Sequence, residues 1–113
     1  MRKIAIPLFL ILLFPTFAFA GQIFGSLKQS GASIGKGSAV LIKCSETEKY
    51  EGQTDAYGSY NIYVSRAGKC AFSVYYGGRW SPPYYVYSDQ TDPVRYDFEL
   101  LRQPDGSFKL ERK

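Results

Sequence analysis

The stretch Thr54-Asp55-Ala56-Tyr57-Gly58-Ser59-Tyr60, running directly into Asn61-Ile62-Tyr63-Val64, constrains the fold more than any other part of the chain. It writes a tight turn and a half-buried strand in consecutive residues. Asp55 can hydrogen-bond backbone groups two residues on, and Gly58 can take a positive φ without a Cβ penalty. Beyond the turn, Tyr60, Ile62 and Val64 fall on one face and Asn61 and Tyr63 on the other, the alternation of a strand with one face in a core.

The same period of two recurs along the chain, punctuated by Gly, Pro, Asp and Ser. Gln22 to Lys28 places Ile23, Gly25 and Leu27 on one face, and Ser38 to Cys44 places Val40, Ile42 and Cys44 inward. Tyr50 to Thr54 leads into the turn, and Ser59 to Ser65 leads away from it. Lys69 to Tyr76 sets Cys70, Phe72, Val74 and Tyr76 against Ala71, Ser73 and Tyr75. Tyr84 to Ser88 follows, and Val94 to Leu101 alternates most regularly, with Val94, Tyr96, Phe98 and Leu100 inward and Arg95, Asp97 and Glu99 outward. Pro104-Asp105-Gly106 then turns the chain into Ser107 to Glu111. Gln29 to Gly37 reads as a loop, as does Gly77 to Pro83, whose two prolines cannot donate to a ladder. No segment has helical periodicity. Seven or eight short strands predict an all-β fold, a single small antiparallel β-sandwich. An antibody-type immunoglobulin domain carries its core Trp between its bridged cysteines, whereas Trp80 follows both Cys44 and Cys70.

The first twenty residues read as a signal peptide: Arg2 and Lys3 are a positive n-region, Ile4 to Phe17 is almost wholly apolar, and Ala18-Phe19-Ala20 is a small-x-small cleavage site. The alternative, an anchor helix over Ile4 to Ala20, is only marginally long enough and contains Pro15. Cleavage leaves 21–113 as one small domain, secreted or periplasmic, with no transmembrane segment. It also leaves a net charge of +2 from the formal +4, with both signs interspersed, which gives no clustered basic surface for nucleic acid. In an oxidising compartment the only two cysteines, Cys44 and Cys70, are expected to form a disulfide worth roughly 3.5 kcal/mol in the loop-entropy picture. A zinc site is disfavoured, since the chain contains no His.

Gly21-Gln22-Ile23-Phe24-Gly25-Ser26-Leu27, then Ala39-Val40-Leu41-Ile42, the Thr54 to Tyr60 turn and Gly68-Lys69-Cys70-Ala71-Phe72-Ser73-Val74 together resemble the carboxypeptidase regulatory-like domain. The resemblance spans most of Ile23 to Leu100, and Thr-Asp-x-x-Gly-x-Tyr is its most specific piece. It implies a prealbumin-like sandwich, related to the Ig-like folds, that is not catalytic; some related sandwiches bind carbohydrate. The cysteine pair and the Pro104-Asp105-Gly106 hairpin are not general marks of that family.

Nothing in the chain writes a reaction. The usual general base is missing, and there is no Gly-x-Ser-x-Gly nucleophile motif. Asp55, Asp89 and Asp92 are the carboxylates that a hydrolase would draw on, but their turn positions have a simpler explanation, and they lack the dense spacing of a calcium loop. No cofactor or metal is expected. The aromatics say more. All ten tyrosines and Trp80 follow the leader, and the strand phase sends Tyr60, Tyr76, Tyr84 and Tyr96 inward and Tyr63, Tyr75, Tyr85 and Tyr87 outward. Exposed rings can stack on sugars or anchor a protein interface, although tyrosine also favours strands for its own sake. Tyr75, Arg79, Trp80, Tyr85 and Tyr87 are therefore the candidate ligand-binding residues, with Trp80 and Arg79 in the loop between two strands. The functional expectation is an exported, non-catalytic module for binding or structural interaction in the cell envelope or extracellular space, with an envelope or extracellular protein as its partner. Carbohydrate binding is the alternative and a small hydrolase a third reading.

Overall fold

The computed structural model describes residues 21–113, so the leader and its cleavage site lie outside the described residues. Eleven strands follow one another: β1 (Gln22–Gln29), β2 (Ala32–Ser33), β3 (Ala39–Lys43), β4 (Lys49–Gln53), β5 (Ser59–Tyr63), β6 (Gly68–Tyr76), β7 (Arg79–Trp80), β8 (Tyr84–Ser88), β9 (Val94–Arg95), β10 (Phe98–Arg102) and β11 (Phe108–Arg112). Among the described residues there is no helix, hence none long and apolar enough to cross a membrane.

The strands form two sheets. In the first, β1 is central: β5 and β2 pair with it antiparallel along one side, β9 and β10 run parallel to it along the other, and β11 pairs with β10. In the second, the order is β4-β3-β6-β8, and β7 folds back on the end of β6. The inward faces named by the alternation meet between the sheets. Phe72 of the second sheet lies 4.8 Å from Phe98 of the first, ring centre to ring centre, and Tyr60 and Tyr84 pack on the same pair. Ile23, Leu27, Val40, Ile42, Val64 and Val86 close the core around these rings without any solvent exposure. Tyr60 and Tyr96 are buried as expected, while Tyr76 and Tyr84 are only partly covered and pack on the core rim.

The turn that opens β5 forms as its residues dictate. The Asp55 carboxylate accepts hydrogen bonds from the amides of Tyr57 (2.9 Å) and Ser59 (3.0 Å), and Gly58 sits at φ 75°. The Gly58 carbonyl takes the Leu27 amide, tying the turn to β1. A Cβ at Gly58 would meet the Ser33 hydroxyl at 2.6 Å and the Leu27 carbonyl oxygen at 2.8 Å. Gly58→Val is therefore expected to cost about 3 kcal/mol, from left-handed strain and the clash together, and an unchanged urea midpoint would refute this account of the turn.

Cys44 and Cys70 are joined by a disulfide with their Cα atoms 4.2 Å apart. The β3–β6 register, Val40 opposite Val74 and Ile42 opposite Phe72, leads straight to this pair, so the bridge links neighbouring strands within one sheet.

Several expectations need correction. The sandwich is not wholly antiparallel, because β9 and β10 run parallel to β1, and eleven strands replace seven or eight. Val94 to Leu101 is interrupted at Tyr96-Asp97, although the register with β1 is the same on both sides of the break. The cause is Gly25. Its missing Cβ lets the Tyr96 carbonyl swing over β1, where an added Cβ would sit 1.8 Å from that oxygen. The Tyr96 carbonyl accepts the buried Tyr60 hydroxyl instead (2.6 Å), and the Asp97 carboxylate takes the Ser26 amide (2.8 Å). Burial works to raise the Asp97 carboxyl, but the Arg95 guanidinium and Ser26 outweigh it and hold it below the usual carboxylate range. Burial, with the Asp97 charge adding to it, pushes the Tyr60 phenol far up, so it stays a donor. Glu99 does not face outward into water. It is buried, with its carboxylate accepting the Gly31 amide at 3.0 Å. Gln29 to Gly37 is not all loop, for Ser30 and Gly31, both at positive φ, form a two-residue hairpin turn into β2.

Candidate functional site

The outer face of the second sheet gathers most of the expected aromatic residues. Alternation along β6 puts Lys69, Ala71, Ser73 and Tyr75 on that face, and along β8 it puts Tyr85 and Tyr87 there. Trp80 joins them, but not from a flexible loop. Gly77 and Gly78, at φ 65° and 88°, make a tight two-residue hairpin that pairs Tyr75 with Trp80 and Tyr76 with Arg79. The Tyr75 and Trp80 rings meet edge to face at 5.3 Å, with the indole still 43% exposed.

The hairpin register sets the side to which Trp80 points, and the segment with the two prolines decides whether Tyr85 and Tyr87 share it. From Trp80 to Tyr84 the chain advances four residues while its partner strand, from Tyr75 back to Phe72, advances three, so one extra residue is accommodated as a β-bulge. Ser81 closes the ladder just before it: its amide donates to the Val74 carbonyl (2.8 Å), and its hydroxyl accepts the Val74 amide (3.0 Å). Without the extra residue, Trp80 and Tyr85 would have opposite parity and lie on opposite faces. With it, both look outward.

Two aromatic platforms result. One is the Tyr75 and Trp80 pair. The other is Tyr85 beside Tyr87, where the Lys69 ammonium lies 4.4 Å from the centre of the Tyr85 ring. Residues 71 and 75 on β6 are roughly 13 Å apart at the rise of a strand, so the platforms stand about that far from one another. Ser73 lies between them and Ala71 beside Tyr85, which leaves a floor of small side chains.

Arg79 is not part of this face. It follows Tyr76 to the other side of the hairpin and stands by the β10–β11 turn. There the Ser107 hydroxyl and amide, helped by the Arg79 charge, hold the Asp105 carboxyl below its ordinary range. The expected grouping of Arg79 with Trp80 therefore fails, for the reason that adjacent strand residues point to opposite faces.

A second concavity, which the sequence reading did not anticipate, is an open groove of about 490 Å³ on the first sheet, walled by Phe24, Gln53, Asp55, Asn61 and Arg95. The outward phase of β1 and β5 was the available signal. Much of its polar surface is already engaged: Arg95 is bonded to Asp97 at 2.8 Å, the Gln22 amide donates to Asn61, and Asp55 is committed to its turn. The other carboxylates considered for chemistry are placed similarly. Asp89 accepts the amide and hydroxyl of Thr91, which lower its carboxyl, and Asp92 is exposed. Among the described residues no three His, Cys, Asp or Glu side chains lie close enough together to hold a metal ion.

Set against known proteins, the chain matches no protein-family model, and no curated protein is similar enough to count as a relative.

Proposed function

We propose that the protein is an exported, non-catalytic binding module of the carboxypeptidase regulatory-like, prealbumin-like type, which docks an envelope or extracellular protein through the outer face of its second sheet. The observation that carries this reading is the bulge at Pro82-Pro83. It brings Tyr85 and Tyr87 onto the face that Tyr75 and Trp80 already share, which leaves four large rings between 42% and 56% exposed on one surface. Rings held by a ladder offer contact area with little entropy left to lose, the property of residues that anchor interfaces. A second reading, carbohydrate binding, is supported by the spacing of the two platforms over a floor of small residues, which suits flat sugar rings stacked at both ends.

Trp80→Ala separates binding from folding. Its indole is half exposed, so the variant is expected to melt within a few degrees of the parent while losing more than about 1 kcal/mol of affinity, roughly fivefold or more. A glycan array and affinity capture from envelope extracts, each run with parent and variant, distinguish the two ligand classes. Unfolding of the variant would make the indole a structural plug and remove the site. Turnover of a glycoside or ester panel by the parent would overturn the non-catalytic reading.

A further inference from the structure

We propose that two copies of this chain associate edge to edge through β11, forming a two-fold dimer whose first sheets run on as one. The hydrogen bonds that flank the β10–β11 ladder, Lys113 amide to Asp97 carbonyl and Gln103 amide to Ser107 carbonyl, fix its phase. Lys109 and Glu111 bond back to β10, so the amides and carbonyls of Phe108, Leu110 and Arg112 point away from the sheet. The longer of the other edges are obstructed. The Tyr96 hydroxyl takes the Tyr87 amide on β8 (2.9 Å), the prolines precede that strand, and β4 is crowded by β5 where Gly52 meets Ile62. On β11 the open groups stand beside a groove of about 400 Å³ walled by Pro82, Pro83, Tyr84, Phe108 and Leu110.

The occupant is argued from the charges. An antiparallel pairing centred on Leu110 sets Leu110 against Leu110 of the second copy, Phe108 against its Arg112, and Lys109 against its Glu111. The residues whose amides point outward then face one another, as the ladder requires. Moving the register by two residues brings Lys109 against Lys109 in one direction and Glu111 against Glu111 in the other. Moving it by one turns Phe108 and Leu110 of the incoming strand away from the groove. Of these registers only the Leu110-centred one sets Lys109 against Glu111, and it does so twice. Within its own chain Glu111 lies across from Glu99, and neither Lys109 nor Glu111 has an ion-pair partner among the described residues. A five-residue edge buries little area, so the dimer belongs to the weak, concentration-dependent class. Its interface is isologous, which limits growth to two copies.

Sedimentation equilibrium of the purified, disulfide-intact protein from about 5 to about 500 µM is expected to show monomer passing to dimer. Lys109→Glu places like charges opposite each other twice and is expected to weaken dimerisation about tenfold or more. Adding Glu111→Lys restores the opposite pairing in reversed sense, and the double variant is expected to return to within about threefold of the parent. Both positions are exposed, so circular dichroism should be unchanged throughout. A parent that stays monomeric over this range overturns the proposal, as does a K109E variant that dimerises like the parent or a charge swap that fails to rescue it.

Discussion

Gly25→Ala is expected to cost about 3–5 kcal/mol, a large share of the stability of a domain of this size at roughly 0.05–0.15 kcal/mol per residue. The added methyl would occupy a point 1.8 Å from the Tyr96 carbonyl oxygen and 2.6 Å from its carbon, both backbone atoms that no rotamer change can move. Relief requires β9 to withdraw from β1, which breaks the Tyr96 amide to Phe24 carbonyl bond and carries the Tyr96 oxygen off the Tyr60 hydroxyl. Leaving that buried pair unmade costs about 1–3 kcal/mol beyond the overpacking itself. Tyr60→Phe removes the same hydrogen bond without the clash, so the two substitutions should be markedly less than additive in a double-mutant cycle. Urea unfolding followed by tyrosine fluorescence measures both. A loss under about 1 kcal/mol for Gly25→Ala would mean that the close approach is not required.

Removing the disulfide should come next in magnitude. Replacing both Cys44 and Cys70 by Ala frees a loop of 26 residues in the unfolded chain, which the entropy model values at about 3.5 kcal/mol. The bridged strands are already neighbours in a ladder, and their contacts survive the substitution, so the folded structure should persist with a lower urea midpoint. The parent under reducing conditions should match the double variant. Equal midpoints for oxidised and reduced parent would show that the bridge contributes nothing to stability.

Side-chain facing was legible in the sequence, and strand neighbours were not. Tyr60, Ile62 and Val64 read as inward from alternation alone because burial of one face is a local constraint, and the Asp55 and Gly58 turn is complete within seven residues. The parallel partnership of β1 with β9 and β10 depends on residues about seventy positions away, and nothing in Val94 to Leu101 taken alone distinguishes it from an antiparallel strand. Glu99 follows the polar phase faithfully but is buried because the β1–β2 hairpin folds over it and offers the Gly31 amide. Gly25 carries a signal of its own in the sequence: a glycine inside a strand often marks another backbone approaching closely. The Gly77-Gly78 pair carried another, since two glycines between strand-forming residues are themselves a hairpin turn. As a loop, 77–83 sets Arg79 beside Trp80; as a hairpin, its strand phase sends the two to opposite faces.

The central place of β1 has a consequence for the order of events in folding. Ile23 pairs with Val94, 71 positions later, whereas the β3 and β6 strands of the second sheet lie much closer in sequence and carry their own covalent link. Closing the shorter loops costs less entropy, so the second sheet is placed to assemble early and the first to wait for the last quarter of the chain. A chain delivered N-terminus first would hold β1 with its β9 side open for that whole interval, which makes the delay before Val94 arrives the period of greatest exposure to mispairing.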